Sequence, residues 1–232
     1  MTTLLIATRN EHKVGEIRSI LGNGFECLSL RELPDAPEVV EDAGTFAGNA
    51  TKKAVALARW LAARDRRSHG SGSRITWVLA DDSGLEVDAL NGEPGVHSAR
   101  FSALDSGAPG NSSSADNNAK LLRLLAGVPP VKRSGRFRCV LALTPVGHAD
   151  TALASPVCYA DEAELQTELF DGACEGRLEF ELRGQGGFGY DPLFLPQGYD
   201  QTFAELGEEV KNGLSHRARA LAKLKEWLGR QG

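Results

Sequence analysis

Apolar positions change period several times along this chain, and each change predicts an element. Leu4-Leu5-Ile6-Ala7 is a compact apolar run, Thr8-Arg9-Asn10 interrupts it, and Val14, Ile17, Ile20 and Leu21 then recur at helical spacing. This predicts strand, loop and helix. Residues 25–30 predict a second strand, and residues 34–41, broken by Pro37, a loop. A helix opens at Thr45-Phe46-Ala47-Gly48-Asn49-Ala50-Thr51 and continues through Ala54, Leu57, Ala58 and Leu61. It is expected to end where residues 64–74 become polar and Gly/Ser-rich, a composition suited to a surface connection that tolerates insertion. Ile75-Thr76-Trp77-Val78-Leu79-Ala80 reads as an interior strand that stops abruptly at Asp81-Asp82-Ser83-Gly84. Leu85 to Leu90 and a turn-rich tract at Gly92-Glu93-Pro94-Gly95 follow.

Residues 102–116 predict a second insertion loop, and Leu121, Leu122, Leu124 and Leu125 a helix after it. Residues 137–144 and 151–160 predict paired strands around the polar turn Gly147-His148-Ala149-Asp150, and residues 177–183 a third strand. The last helix starts near Ser215 and runs through Ala218, Leu221, Leu224 and Leu228, with one apolar face. Strands and helices mix without strict alternation, which favours one α/β or α+β domain.

Composition narrows the function classes. The chain has 232 residues, is 41% hydrophobic and 25% charged, and carries a net charge of -5. It therefore lacks the basic footprint of a nucleic-acid binder, and a phosphate-bearing partner is more naturally a small nucleotide held locally. Cys27, Cys139, Cys158 and Cys174 are widely spaced, with neither zinc nor redox-motif spacing. The start of the chain lacks the pattern of a signal peptide, and no apolar run is long enough to cross a bilayer, so a cytoplasmic location without membrane partners is expected.

Chemistry is concentrated in a few tracts. Two adjacent aspartates after an apolar strand repel each other and call for a cation or a proton, while Asp-Ser-Gly is also ordinary turn chemistry; a metal site and a turn are both open readings. Thr8, Arg9, Asn10, Glu11, His12 and Lys13 lie between the first strand and helix, where helix-start amides, a hydroxyl, an amide and a lysine suit phosphate oxygens; an ordinary helix cap is the alternative. Gly184-Gln185-Gly186-Gly187-Phe188-Gly189 spells a dinucleotide fingerprint, but Tyr190-Asp191-Pro192 follows in place of a helix, so that reading is rejected. Glycines beside Phe188 and Tyr190 suit either a tight turn with core aromatics or a loop that stacks on a flat ring. Lys53 sits among apolar helix positions, where it snorkels outward or faces an anion. His216 and Arg217 open the last helix, where positive charge opposes the helix dipole unless an acceptor offsets it.

Six tracts in register across nearly the whole chain carry a resemblance. They are Thr8-x-Asn10-x-x-Lys13, Glu41-x-x-x-Thr45-Phe46-x-x-Asn49-Ala50, Asp81-Asp82-Ser83-Gly84-Leu85, Pro94-Gly95-x-x-Ser98-Ala99-Arg100, Gly186-Gly187-Phe188-Gly189-Tyr190-Asp191-Pro192 and Ser215-His216-Arg217. Together they closely resemble the inosine/xanthosine triphosphate pyrophosphatase family. That resemblance implies a mixed α/β fold, with residues 1–232 forming a single domain of two lobes around a central mixed sheet and a substrate groove between them. It implies hydrolysis of ITP, dITP or XTP to monophosphate and pyrophosphate, with Mg2+-assisted attack of water on the α-phosphate, and a homodimer. In its terms Asp82 is the proton acceptor and, with Glu41, a metal residue, while Asp81 has a supporting part. Lys53 is the catalytic cation that neutralises phosphate charge, and Thr8, Arg9, Asn10, Glu11, His12 and Lys13 hold the triphosphate. Ser83, Lys211, His216 and Arg217 contact substrate, and Phe188, Gly189, Tyr190 and Asp191 line the base pocket. Departures from the family pattern are Gly48, where many relatives carry an acidic residue, the long 64–74 and 102–116 stretches, and residues 158–178. A nucleotide sensor without turnover and a pyrophosphatase for other modified nucleotides are the competing functions.

Overall fold

A computed structural model describes residues 2–67, 75–107, 109–147 and 162–230. The chain packs as two compact units, Met1–Asp82 with Val140–Phe170 and Ser83–Cys139 with Asp171–Gly232. Among the described residues six strands form one sheet, in which the second strand of the chain lies at one edge, the first beside it, and the third to sixth follow in order.

The first unit is built around β1 (Thr2–Ile6), whose Leu4, Leu5 and Ile6 are fully buried. Parallel neighbours flank it on both sides: β2 (Phe25–Ser29), in unbroken register from Thr2↔Phe25 to Ile6↔Ser29, and β3 (Ile75–Val87), with Leu4↔Trp77 and Ile6↔Leu79. Parallel neighbours require crossovers, and helices supply them. The first is α1 (Glu11–Leu21), which buries Val14, Ile17 and Leu21 and is followed by Gly22 at φ 68. The second is α2 (Phe46–Arg67), whose Ala50, Ala54, Leu57, Ala58 and Leu61 form the buried stripe.

Two boundaries differ from expectation. The helix expected to end by residue 64 continues to Arg67, since arginine and alanine are good helix formers and polarity alone does not stop a helix. The strand expected to end at Ala80 runs on to Val87, through the tract that resembles a turn. Asp81 and Asp82 are only 2% and 6% exposed, and Leu85 and Val87 are buried beyond them. Placement in the sheet and burial of the flanking Leu79, Ala80, Leu85 and Val87 outweigh the weak local preference of Asp, Ser and Gly for turns. The aspartates are thus presented from within a strand, and the turn reading is corrected.

In the second unit α3 (Ala103–Ser106) and α4 (Ser114–Leu124) occupy much of the segment expected to be an insertion loop. Asn117 supports this arrangement, accepting from the Ser102 amide at 2.8 Å and donating to the Ala99 carbonyl at 3.3 Å. Strand β4 (Ser134–Pro145) covers the strand expected at 137–144, while 151–160 lies outside the described residues. The short α5 (Glu162–Leu165) precedes β5 (Glu168–Leu178), which pairs antiparallel with β6 (Phe194–Pro196).

The strand expected at 177–183 therefore lies earlier. Gly172 and Gly176 disguise it: a Cβ at Gly172 would stand 2.1 Å from the His216 carbonyl oxygen, and one at Gly176 2.4 Å from that of Leu195. Glycine is needed there for close backbone approach, not for a turn. Buried Arg133 donates to the carbonyls of Leu125, Leu178 and Glu179 at 2.9, 2.8 and 2.6 Å, fixing the backbone where β5 ends. Two further helices, α6 (Phe203–Leu214) and α7 (His216–Gly229), complete the described chain. Phe137, Phe194 and Phe203 meet at the centre of this unit's core beside Leu121, Leu125, Tyr190 and Leu193. Among the described residues no helix is long and apolar enough to cross a membrane.

Candidate active site

The first unit gathers Lys13, Glu41, Asn49, Lys53, Asp81 and Asp82. Asn10 caps α1, its side-chain oxygen accepting from the His12 and Lys13 amides at 3.0 and 3.3 Å, and Thr8 Oγ1 accepts from the Asn10 amide at 3.1 Å. This cap directs Lys13 inward, where its ammonium ion-pairs with Asp81 Oδ1. Arg9 donates to the Ala36 carbonyl at 3.2 Å, and Glu11 pairs with Arg31, so both charges meet neighbouring loop residues. His12 is exposed. From α2, Lys53 reaches Glu41 Oε1 at 2.7 Å and the Asp81 carbonyl at 3.2 Å. Asn49, one turn earlier on the same helix face, donates to Asp82 Oδ2 at 3.0 Å and accepts from the Ala43 amide at 2.9 Å.

The adjacent aspartates are chemically unequal. Asp81 faces the Lys13 ammonium directly. Burial pushes the Asp82 carboxyl above the ordinary range of an aspartic acid. Lys13, the Asn49 hydrogen bond and Lys53 pull it back in part, and the Glu41 charge adds to the rise. Asp82 is therefore more basic than an ordinary aspartate.

The second unit gathers Ser83, Asp191, Lys211, His216 and Arg217. Asp191 Oδ2 accepts from the Phe188 amide at 2.8 Å and from the Lys211 ammonium at 2.6 Å, and Lys211 Nζ stands 4.4 Å from the centroid of the Phe188 ring. The Gly186–Asp191 segment is consequently a defined loop. Gly187 is at φ 72, and a Cβ there would fall 2.2 Å from Asp191 Oδ2. Gly189 presents its carbonyl to Asn118 Nδ2 at 3.0 Å. The Tyr190 ring belongs to the core and its hydroxyl donates to the Ser98 carbonyl at 2.9 Å; burial pushes that hydroxyl's pKa well up. No helix follows the glycines, in keeping with rejection of the dinucleotide fingerprint.

Ser215 caps α7 through the Ala218 amide at 3.2 Å, which places His216 and Arg217 in the first turn. Arg217 donates to Ser83 Oγ at 2.9 Å, offsetting its charge at the positive end of the helix with an acceptor. The His216 ring stacks on Phe137, with centroids 4.9 Å apart and planes at 15°. Two residues given no role by sequence reasoning prove central to these clusters, Asn49 and Asn118. The available signal was an amide at an otherwise apolar helix position, next to Ala50 in one case and before Leu121 in the other.

Comparison with known proteins agrees in extent with this arrangement. The Ham1 family model matches residues 4–227. A dITP/XTP pyrophosphatase of Desulforamulus reducens is 46% identical over 98% of this chain and 96% of its own, and one of Geobacter sulfurreducens is 45% identical over 100% and 99%. Among solved structures, the Ham1 protein of Staphylococcus aureus superposes with a TM-score of 0.74 at 31% identity over the full length of both chains. A nucleoside-triphosphatase / dITP/XTP pyrophosphatase of Mycobacterium abscessus gives 0.63 at 36% identity, over 96% of this chain and 98% of its own. The family match and the full-length relatives show that this chain belongs to the Ham1 family.

Proposed function

We propose that the protein hydrolyses deaminated purine nucleoside triphosphates, ITP, dITP and XTP, to the monophosphate and pyrophosphate. The observation that carries this reading is the buried Asp82 carboxylate, raised in basicity and held by Asn49 among Lys13, Lys53 and Glu41. The names of the full-length relatives support the substrate class. Asp82 accepts the proton of the attacking water, which a carboxylate does better as its pKa rises toward the working pH. Lys53 and Lys13, now paired with Glu41 and Asp81, turn to the triphosphate and neutralise its charge. Thr8, Arg9, Asn10, Glu11 and His12 form the rest of the phosphate-holding segment, with the α1 amides at its centre.

Glu41 and Asp82 suit Mg2+. Both offer hard oxygen donors. One or two carboxylates with the remaining positions left to water and phosphate is the donor set Mg2+ accepts. When bound, Mg2+ supplies charge stabilisation at the phosphate and a more acidic water.

Base selection falls to the second cluster. Donors on His216 and Arg217 match the 6-oxo group of hypoxanthine and xanthine, and meet another donor in adenine, a mismatch worth about 1–3 kcal/mol. Phe188 supplies a ring face, and Ser83, Lys211, Gly189, Tyr190 and Asp191 complete this end. The enzyme acts on the cytoplasmic nucleotide pool as a homodimer, a state that light scattering would measure. The function is tested by comparing ITP, XTP, GTP and dUTP with Mg2+ in one assay. Pyrophosphate from ITP and XTP in preference to GTP and dUTP is expected; orthophosphate as first product, or tight ITP binding without turnover, would overturn it.

A further inference from the structure

The Asn49 side chain joins two separate pieces of the proposed catalytic apparatus, using a different atom of its amide for each. Its Nδ2 donates to Asp82 Oδ2 on β3, and its Oδ1 accepts from the amide of Ala43, two residues after Glu41. The chemistry of the partners fixes the amide's orientation: a main-chain N–H can only donate, and a carboxylate can only accept. Asn49 is 1% exposed.

Its side chain is not needed to start α2. The hydroxyl of Thr45 accepts from the Gly48 amide at 3.1 Å, and the Thr45 carbonyl accepts from the Asn49 amide at 3.1 Å, so the first turn is capped without it. Residues 36–43 have no regular structure, and Glu41 therefore depends on side-chain ties for its place. Packing at this point is close. A Cβ at Gly48 would lie 2.8 Å from that of Ala43 and 3.1 Å from Thr45 Oγ1, so the residue that departs from the family pattern leaves room for the loop against the helix.

We propose that Asn49 is a positioning residue that holds the Glu41 segment and the Asp82 carboxylate in one fixed relation, and so sets the donor geometry offered to the divalent cation. This rests on the reading of Asp82 and Glu41 given above. One end of the amide fixes the rotation of the Asp82 carboxylate, and the other fixes the chain beside Glu41. Lys53, one turn further along α2, pairs with Glu41 until it turns to the triphosphate, which leaves the Asn49 tie as the one that persists from this helix. Helix α2 is thus the common frame for both carboxylates. Outer partners of metal-binding carboxylates are worth roughly 10- to 100-fold in affinity or activity.

The test uses Asn49→Ala, which removes both ends of the tie, and Asn49→Asp, which keeps the acceptor for Ala43 but removes the donor to Asp82. Mn2+ binding followed by electron paramagnetic resonance, kcat and KM for ITP, and melting in EDTA are measured on each. Expected is a fall of about 10- to 100-fold in kcat for both variants, with KM within threefold of wild type, and a comparable weakening of Mn2+ in Asn49→Ala. Folded variants with wild-type kcat and Mn2+ affinity would overturn the proposal, whatever their melting temperatures, because a purely structural amide affects only the latter. If Asn49→Ala fails to fold, Asn49→Ser, which is smaller and shortens both ties, decides on kcat and Mn2+ affinity together. Asp82→Asn serves as the control: wild-type Mn2+ binding and turnover in that variant would remove the underlying assignment, independently of Asn49.

Discussion

Replacing Lys211 by methionine tests how the second cluster is held. The Lys211 and Asp191 side chains are 3% and 2% exposed and their charged atoms are 2.6 Å apart. Methionine keeps an apolar stem but removes the ammonium, leaving the Asp191 carboxylate with the Phe188 amide and without the Lys211 charge. Removing one member of a buried pair costs about 3–5 kcal/mol, since the remaining charge is neither hydrated nor compensated. For a chain of this size each kcal/mol moves Tm by about 2–4 °C, which gives a fall of roughly 6–20 °C. Asp191→Asn in the same background neutralises the stranded carboxylate while its carbonyl still accepts from Phe188. The double variant is therefore expected to recover at least half the loss, a coupling of at least about 2 kcal/mol. Scanning calorimetry of wild type, both single variants and the double variant in EDTA, at low and high salt, reads the cycle. A loss below about 1 kcal/mol for Lys211→Met, or additive losses in the double variant, would refute the reasoning.

Substitutions at Asp82 and Gly187 test the two clusters separately. Asp82→Asn is expected to lower kcat by about 10²–10⁴-fold, because it removes the base while its carbonyl still accepts from Asn49. It should also stabilise the metal-free fold. A carboxyl whose pKa is raised by burial contributes stability that is present below the unfolded pKa and lost as pH rises through the folded value. The excess Tm of Asp82→Asn over wild type in EDTA should therefore be absent in acid and grow as pH rises, and a variant less stable than wild type at neutral pH would contradict this. Gly187→Ala places a Cβ 2.2 Å from Asp191 Oδ2 at φ 72, where an L side chain alone costs about 1–2 kcal/mol. We expect a clear rise in KM for ITP, and an unchanged KM would mean that the Phe188 loop does not contact the base.

Legibility in the sequence varied with how locally each feature is determined. Helices α1 and α2 declared themselves through apolar residues at helical spacing and, in α1, through the Asn10 cap. The continuation of β3 past Ala80 did not, because Asp81, Asp82, Ser83 and Gly84 have turn-like preferences and are held extended by neighbours distant in sequence. Strand β5 was hidden by Gly172 and Gly176, whose purpose is visible only when the backbone pressing on each is in place. Helix α6 went unrecognised, with Gly207 at φ 79 interrupting its period. At the site, Asp82, Glu41, Lys53 and Lys13 were legible as charged residues in a recognisable order. Asn49 and Asn118 were not assigned, since a neutral amide inside a helix reveals its role only through the carboxylate or carbonyl it meets.

The most direct test of the central claim is hydrolysis of ITP in water enriched in heavy oxygen, with both products analysed by mass spectrometry. Attack on the α-phosphate by a water deprotonated at Asp82 places the label in the monophosphate and leaves pyrophosphate unlabelled. Label in pyrophosphate, or labelled orthophosphate as the first product, would contradict the account.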